Sequence, residues 1–182
     1  MKPFYPTKSE IAPLLEGRQT SIVRPINPQP DWDSEVINVS YSPGPFFWPH
    51  NKNGMQAGHM IHEKQSPLGP PGTILWCKEE WWSDWRDKVG KELCYAYKQS
   101  YGDIGVQWNH AVSMPKAACR LWLEVVDVKV CKWIDLAVKE VNQAGFESGI
   151  GVNQVSFESL FCDWIWYATV KRIEKTASVL NR

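Results

Sequence analysis

Two arginines flank a short polar and β-branched stretch near the start of the chain, in the segment LEGRQTSIVRP. Arg18 and Arg24 each carry a planar guanidinium group, which can bind a phosphate through two parallel hydrogen bonds. Between them, Gln19, Thr20 and Ser21 offer neutral donors and acceptors of the kind that suit a base edge or a sugar hydroxyl. The same residues also allow a structural interpretation. Arg18 could bond the last carbonyls of a preceding helix, and Arg24 could pair with Glu79 across neighbouring strands.

Other candidate chemistry is weaker. His59 and His62 lie three residues apart, with His50 upstream, but a metal site needs further ligands and no cysteine is close in sequence. His110 follows Trp108 and could act as an acid or base. No glycine-rich phosphate loop opens a helix. We therefore expect no metal and no cofactor.

The composition sets limits on the partners. The chain has 182 residues, which suits one domain, and its 20 basic residues balance its 20 acidic ones. A generic nucleic-acid binder is usually basic overall, so any polyanion site must be a local patch. Five cysteines without a CxxC pair, and no secretory signal at residues 1–6, favour a reduced, cytoplasmic protein with no membrane span.

Periodicity and turn residues predict the elements that must hold these groups. A short helix runs from Ser9, as its cap, to Glu16, with Gly17 as its stop, and a strand follows from Thr20 to Arg24. Residues 31–71 show no lasting period and are predicted to be a long irregular insertion, or a hairpin, rich in proline, glycine and aromatic residues. The later predictions are a strand in GTILWCKEEWW, a helix over Ser83–Leu93, a strand over Cys94–Lys98, a helix over Leu136–Ala144 capped by Asp135, and a strand over Asp163–Arg172.

The clearest β signal covers Cys119–Lys132. Its apolar phase changes by one residue after Val125, which predicts a bulge or a sharp bend. Because strands and helices do not alternate regularly, a parallel sheet is disfavoured. We predict an α+β domain over residues 1–175, built as a small mixed barrel with short helices, and a loosely held tail at 176–182.

Five segments in the same order resemble the ASCH domain in its bacterial and phage form: LEGRQT, RPINPQP, SPLGPPGTILWCKEEW, SMPKAACRLWLEVVDV and DWIWYATVKR. The resemblance spans most of the chain. It implies a PUA-like β-barrel with a cleft at the GRQT turn, and a ligand that is RNA or a modified nucleotide. One branch of this family hydrolyses N4-acetylcytidine with a lysine, a threonine and a glutamate.

The catalytic positions of that branch are replaced here. Its lysine corresponds to Gln19, its threonine to Ile22 and its glutamate to about Ala144, one turn from Glu140. None of the three replacements can act as the base, nucleophile or acid that the reaction requires. Lys78 with Glu79 or Glu140 could form a different site.

The remaining matched residues favour binding. Besides the GRQT turn and Arg24, the resemblance brings Lys78, Glu79 and Lys116 to the cleft, and Trp76 or Trp108 could stack on a base. We therefore expect a binding module for RNA or a modified nucleotide. The alternatives are a hydrolase acting on a modified nucleoside or on RNA, and a phage accessory protein that contacts a protein partner through residues 43–50.

Overall fold

The computed structural model describes residues 1–27, 29, 35–40, 46–50, 64–84, 94–145 and 164–175. The α-helices are α1 (Lys8–Glu16), α2 (Lys98–Tyr101) and α3 (Val138–Gln143). The strands are β1 (Lys2–Phe4), β2 (Ser21–Pro25), β3 (Glu35–Ser40), β4 (Phe46–His50), β5 (Lys64–Gln65), β6 (Ile74–Cys77), β7 (Trp81–Asp84), β8 (Cys94–Tyr97), β9 (Trp122–Lys132) and β10 (Trp164–Ile173). The mixture of helices and sheets confirms the α+β class. No helix in these ranges is long and apolar enough to cross a lipid bilayer.

The main sheet has five strands in the order β1–β6–β9–β10–β2. β1 lies parallel to β6, and the other neighbours are antiparallel. The sheet is strongly curled, because the guanidinium carbon of Arg24 on one edge strand lies 4.9 Å from the ring centroid of Phe4 on the other. Helix α1 connects these two edges. In the described ranges β1 and β2 are not hydrogen-bonded to each other, so the sheet is not a closed barrel there.

The predicted bulge lies in β9. Thr169 of β10 is opposite Asp127, whereas the next residue, Val170, is opposite Val125, so Val126 is the extra residue. Val126 is 49% exposed, while Val125 and Val128 on either side are buried. The bulge therefore keeps apolar side chains on the inner face through the whole strand, and the prediction from the phase change is confirmed.

Both faces of the sheet are covered by apolar side chains. Leu75 and Leu123 belong to an inner core with Phe4, and their strand neighbours Ile74 and Trp122 pack into a second cluster on the other face. Of the described tryptophans, 122, 133, 164 and 166 are buried, whereas 76, 81, 82 and 108 are partly exposed.

Several predicted boundaries need correction. Thr7, not Ser9, precedes α1 as its N-cap, because the Glu10 carboxylate accepts a hydrogen bond from the Thr7 N–H at 2.7 Å. Asp135 lies in a 3₁₀ turn, and α3 begins after Ala137, whose N–H donates to Glu140. Both errors have one cause, since a glutamate in the first turn fixed each helix start more strongly than the nearer polar residue.

Two further predictions differ from the structure. The predicted helix over Ser83–Leu93 begins inside β7, which pairs with β8, and residues 85–93 lie outside the described ranges. The segment 31–71 is not irregular throughout, because β3, β4 and β5 form an antiparallel sheet within it, which fits the hairpin alternative. Sequence periodicity failed here because each of these strands is short.

Candidate functional site

The polar side chains of the GRQT turn mostly serve the fold. Gln19 is buried and its Nε2 donates to the Ser21 carbonyl at 2.9 Å. The buried Ser21 hydroxyl lies 2.7 Å from the hydroxyl of Tyr167 on β10. Thr20 donates its N–H to the Gln143 carbonyl of α3. These bonds fasten the start of β2 to its neighbours, so the side chains of Gln19 and Ser21 are not free to meet a ligand.

Arg18 is the exposed member of the turn. It follows Gly17, which ends α1 in the left-handed conformation at φ 73°. Its Nε donates to Glu16 at 2.5 Å, and its side chain is 61% exposed. With Lys139 and Asn142 of α3 it lines a shallow, open depression. This surface offers cations but little enclosure.

Arg24 is engaged inside the fold. Two of its nitrogens donate to the two carboxylate oxygens of Glu10, both at 2.8 Å, and one also donates to the Val23 carbonyl. The pair is mostly buried. Burial by itself raises the pKa of Glu10, but the hydrogen bonds and charge of Arg24 lower that pKa below its usual value. The predicted pairing of Arg24 with Glu79 is wrong, because Arg24 pairs with Glu10 of α1.

Lys78 follows β6 and is only 9% exposed. Its Nζ donates to the Val112 carbonyl at 2.6 Å and lies 4.8 Å from the ring centroid of Trp76 and 5.5 Å from that of Tyr5. No carboxylate within the described ranges lies at ion-pair distance from this ammonium. Buried lysines are rare unless they are paired, so an anionic partner for Lys78 is missing from this part of the chain.

A hollow of about 360 Å³ opens beside Lys78. This volume lies within the range of roughly 300–1,000 Å³ that is typical of small-molecule sites. The hollow is lined by Pro6, Lys8, Ile11, Lys78, Glu79, Glu80, Lys98, Gln99, Gly102, Asp103 and Ala111. Tyr5, Tyr101 and Val112, each next in sequence to a residue that lines the hollow, are exposed. The site thus combines ammonium groups with apolar walls.

Glu79 is held away from Lys78. Two nitrogens of Arg120 donate to its carboxylate at 2.8 and 2.7 Å, and the Arg120 guanidinium lies 4.0 Å from the ring centroid of Tyr97. Burial raises the pKa of Tyr97 to about 12, so this phenol is a neutral donor, bonded to the Ala118 carbonyl. Glu79 therefore lines the hollow with a carboxylate that is already hydrogen-bonded and neutralised by Arg120.

The other predicted residues lie elsewhere. Lys116 belongs to a 3₁₀ turn, with its Nζ 5.7 Å from the ring centroid of Trp122, and it does not line the hollow. Lys78 covers one face of Trp76. The indole N–H of Trp108 is shielded from solvent and has no hydrogen-bond partner in the described part of the chain. The structure thus unites Trp76, Lys78 and Glu79, and it places Arg18 and Arg24 apart from them.

The positions matched to hydrolase residues show no catalytic arrangement. Ile22 is fully buried in the core, and Ala144 is buried at the end of α3. Glu140 bonds Lys129 of β9 through a short hydrogen bond, which lowers the pKa of that carboxyl. Glu140 therefore pairs with Lys129, and neither it nor Glu79 reaches Lys78.

Sequence reasoning missed Lys8, Glu80 and Lys98, which complete the hollow. Lys8 opens α1, and Lys98 opens α2 some ninety positions later. Nothing in the local pattern of either lysine signals that they face one carboxylate. Glu80 directly follows Lys78 and Glu79, which the resemblance had placed at the cleft, so its position in the sequence could have identified it as a site residue.

Some predictions lie outside the described residues. For the predicted protein contact at 43–50, the structure describes only the backbone of 46–50, which forms β4. His59 and His62 are also outside. In the described ranges, no group of three histidine, cysteine or acidic side chains could hold a metal ion.

A scan against protein-family models finds no match for this chain. Searches of curated proteins and of solved structures find none either. The resemblance to the ASCH domain therefore remains a prediction from the sequence.

Proposed function

We propose that the protein binds a nucleotide or a nucleotide unit of RNA in the hollow beside Lys78. The observation that carries this proposal is that Lys78 is nearly buried, lines a cavity and has no carboxylate partner among the described residues. A phosphate supplies that partner and accepts charge-assisted hydrogen bonds from Lys78, with Lys8 and Lys98 nearby. Tyr5 and Val112 offer apolar surface for a base.

The net charge of zero agrees with a confined ligand site. Binding along a nucleic-acid backbone usually relies on a broad basic surface. Here the cations of the hollow are few and are interleaved with carboxylates, which favours recognition of one or two nucleotide units. Long RNA should therefore gain little affinity over a short oligonucleotide.

The proposal places the ligand beside β6 rather than at the GRQT turn. Of the four turn residues, only Arg18 presents an exposed charge, and its depression is shallow. Gln19 and Ser21 are committed to internal hydrogen bonds. The turn therefore supports the fold, and Arg18 lines a different depression.

Binding is proposed without hydrolysis of a modified nucleoside. The amide of Gln19, the alkyl chain of Ile22 and the methyl group of Ala144 supply no base, nucleophile or acid. Within the hollow, the carboxylate of Glu79 is saturated by Arg120. We expect no release of acetate from N4-acetylcytidine.

The resemblance implies a PUA-like β-barrel, and we propose that the curled sheet is an incompletely closed form of it. The two edge strands approach at Phe4 and Arg24, and the core lies between the curled sheet and α1. In this arrangement α1 covers the gap between β1 and β2. An experimental structure with a continuous β1–β2 ladder, or with a flat open sheet, would contradict this detail.

Calorimetric titration with uridine monophosphate and a six-nucleotide uridine RNA tests the function. We expect Lys78→Met to weaken binding at least about tenfold, since a desolvated charge pair is lost. The double variant K8A/K98A removes one exposed and one half-buried lysine, and it should weaken binding several-fold without loss of the fold. The matched control R18A/K139A removes two cations from the other depression and should change affinity less than about twofold.

Two results would overturn the assignment. Unchanged affinity in both Lys78→Met and K8A/K98A would exclude the hollow. Loss of binding in R18A/K139A alone would move the site to the GRQT turn. Thermal denaturation of each variant separates loss of a ligand contact from loss of the folded state.

A further inference from the structure

Glu80 lies between the two outer lysines of the hollow. Its Oε2 is 3.7 Å from Lys8 Nζ and its Oε1 is 3.6 Å from Lys98 Nζ. Its carbonyl also accepts the Lys98 N–H at 3.0 Å, which holds the two residues together at the start of α2. The Glu80 side chain is 30% exposed, so its charge remains open to the hollow.

The charges that line the hollow nearly balance. The cations are Lys8, Lys78 and Lys98, and Arg120 stands behind Glu79. The carboxylates are Glu79, Glu80 and Asp103. The three lining lysines balance the three lining carboxylates, but Arg120, which does not line the hollow, already neutralises Glu79. The lysines therefore exceed Glu80 and Asp103 by one positive charge, and Lys78 is the lysine that lacks a carboxylate partner in the described ranges. A ligand with one negative charge would neutralise the site.

We propose that the hollow selects a singly charged phosphodiester over terminal phosphates, and that Glu80 sets this specificity. The inference rests on the proposed function and names its ligand class: an internal nucleotide of RNA or a cyclic nucleotide. A phosphodiester carries one charge, whereas a terminal phosphate carries about two and a triphosphate more. The additional charges of those ligands meet the carboxylate of Glu80, and like charges in contact are unfavourable.

Glu80 sets the preference between ligands and has little effect on the affinity for a diester. A diester held by Lys78 leaves Glu80 with Lys8 and Lys98 as its partners. A triphosphate must compete with Glu80 for the same two ammonium groups. Removal of this one charge should therefore help highly charged ligands much more than it helps a diester.

Titrations at low salt with uridylyl-uridine, 3′,5′-cyclic uridine monophosphate, uridine monophosphate and uridine triphosphate test the inference. In the native protein at least one diester should bind more tightly than the triphosphate. Glu80→Gln should raise triphosphate affinity about tenfold, which is what one unit charge at roughly 6 Å contributes at an effective dielectric constant of about 40. Diester affinity should change less than threefold.

Glu124→Gln is the matched control. Glu124 also pairs with one lysine, Lys171, and its side chain is 31% exposed, but it does not line the hollow. This variant should leave all four affinities unchanged. The diester that binds more tightly identifies the source as an RNA unit or a cyclic nucleotide.

The failures are distinguishable. If the native protein binds the triphosphate most tightly, or if Glu80→Gln shifts all ligands equally, the selectivity is wrong and the proposed function stands. If none of the four ligands binds, both the selectivity and the proposed function fall.

Discussion

Arg24 and Glu10 form a two-point ion pair, in which two guanidinium nitrogens donate to the two carboxylate oxygens at 2.8 Å each. The pair joins edge strand β2 to α1, and Phe4 of the opposite edge lies against the guanidinium. The two parallel hydrogen bonds that a guanidinium could offer to a phosphate are thus made to Glu10. They lie where the edge strands β1 and β2 approach each other.

Removal of one partner of this pair should destabilise the protein. Arg24→Met leaves the Glu10 carboxylate buried without its cationic partner, which should lower the free energy of unfolding by about 3 kcal/mol. The double variant E10Q/R24M removes both charges and should recover most of that loss. Urea unfolding at pH 7 measures both. If the single and double variants lose equal free energy of unfolding, the two residues are not energetically coupled.

The same pair predicts a pH dependence. Arg24 holds the pKa of Glu10 below its ordinary value of 4.5 against the effect of burial, which raises it. The stabilisation is therefore present above pH 4.5 and is lost as the pH falls through the lowered pKa. In Arg24→Met burial prevails and the sign reverses, so this variant should gain stability relative to the native protein as the pH falls from 6 to 4. If Arg24 does not control the pKa of Glu10, the free energies of unfolding of the two proteins will change in parallel with pH across this range.

The bulge in β9 predicts opposite tolerances at adjacent positions. Val125→Ala should cost about 2 kcal/mol because Val125 is fully buried in the inner core. Val126→Ala should cost less than about 0.5 kcal/mol because the extra residue faces solvent. Chemical denaturation of the two variants measures the difference. A larger cost at Val126 would contradict the register described here.

Two glycines with left-handed backbone differ in their surroundings. At Gly17, φ is 73° and an added Cβ meets nothing within 4 Å, so Gly17→Ala should cost about 1 kcal/mol of backbone strain alone. At Gly145, φ is 83° and an added Cβ would lie 3.0 Å from Oε1 of the buried Gln19. Gly145→Ala should cost about 2–3 kcal/mol. Thermal denaturation that ranks the two variants in the opposite order would argue against the contact with Gln19.

Local features of the sequence predicted much of the fold. Gly17 ends α1 because few other residues adopt its conformation, and the phase change after Val125 located the bulge because side chains alternate along a strand. These signals act over a few residues, so a single segment contains them. The starts of α1 and α3 were misplaced because Glu10 and Glu140 outweighed a nearer polar residue.

The composition of the site was less predictable. LEGRQTSIVRP supplies two guanidinium groups, but whether each meets a ligand depends on distant residues. Arg24 pairs with Glu10, whereas Arg18 stays at the surface. The surroundings of Lys78 also come from distant parts of the chain, because Val112 accepts a hydrogen bond from its ammonium and the ring of Tyr5 lies beside it.

The sequence by itself determined the α+β class, the long bulged strand and the stock of cations from which a site could be made. The tertiary structure alone decided which cations remained available to a ligand. The physical reason is that an ion pair forms with whichever opposite charge folding brings near, and spacing along the chain does not fix that distance. Glu10 thus pairs with Arg24, whereas Lys78 lines a hollow and has no carboxylate partner in the described ranges.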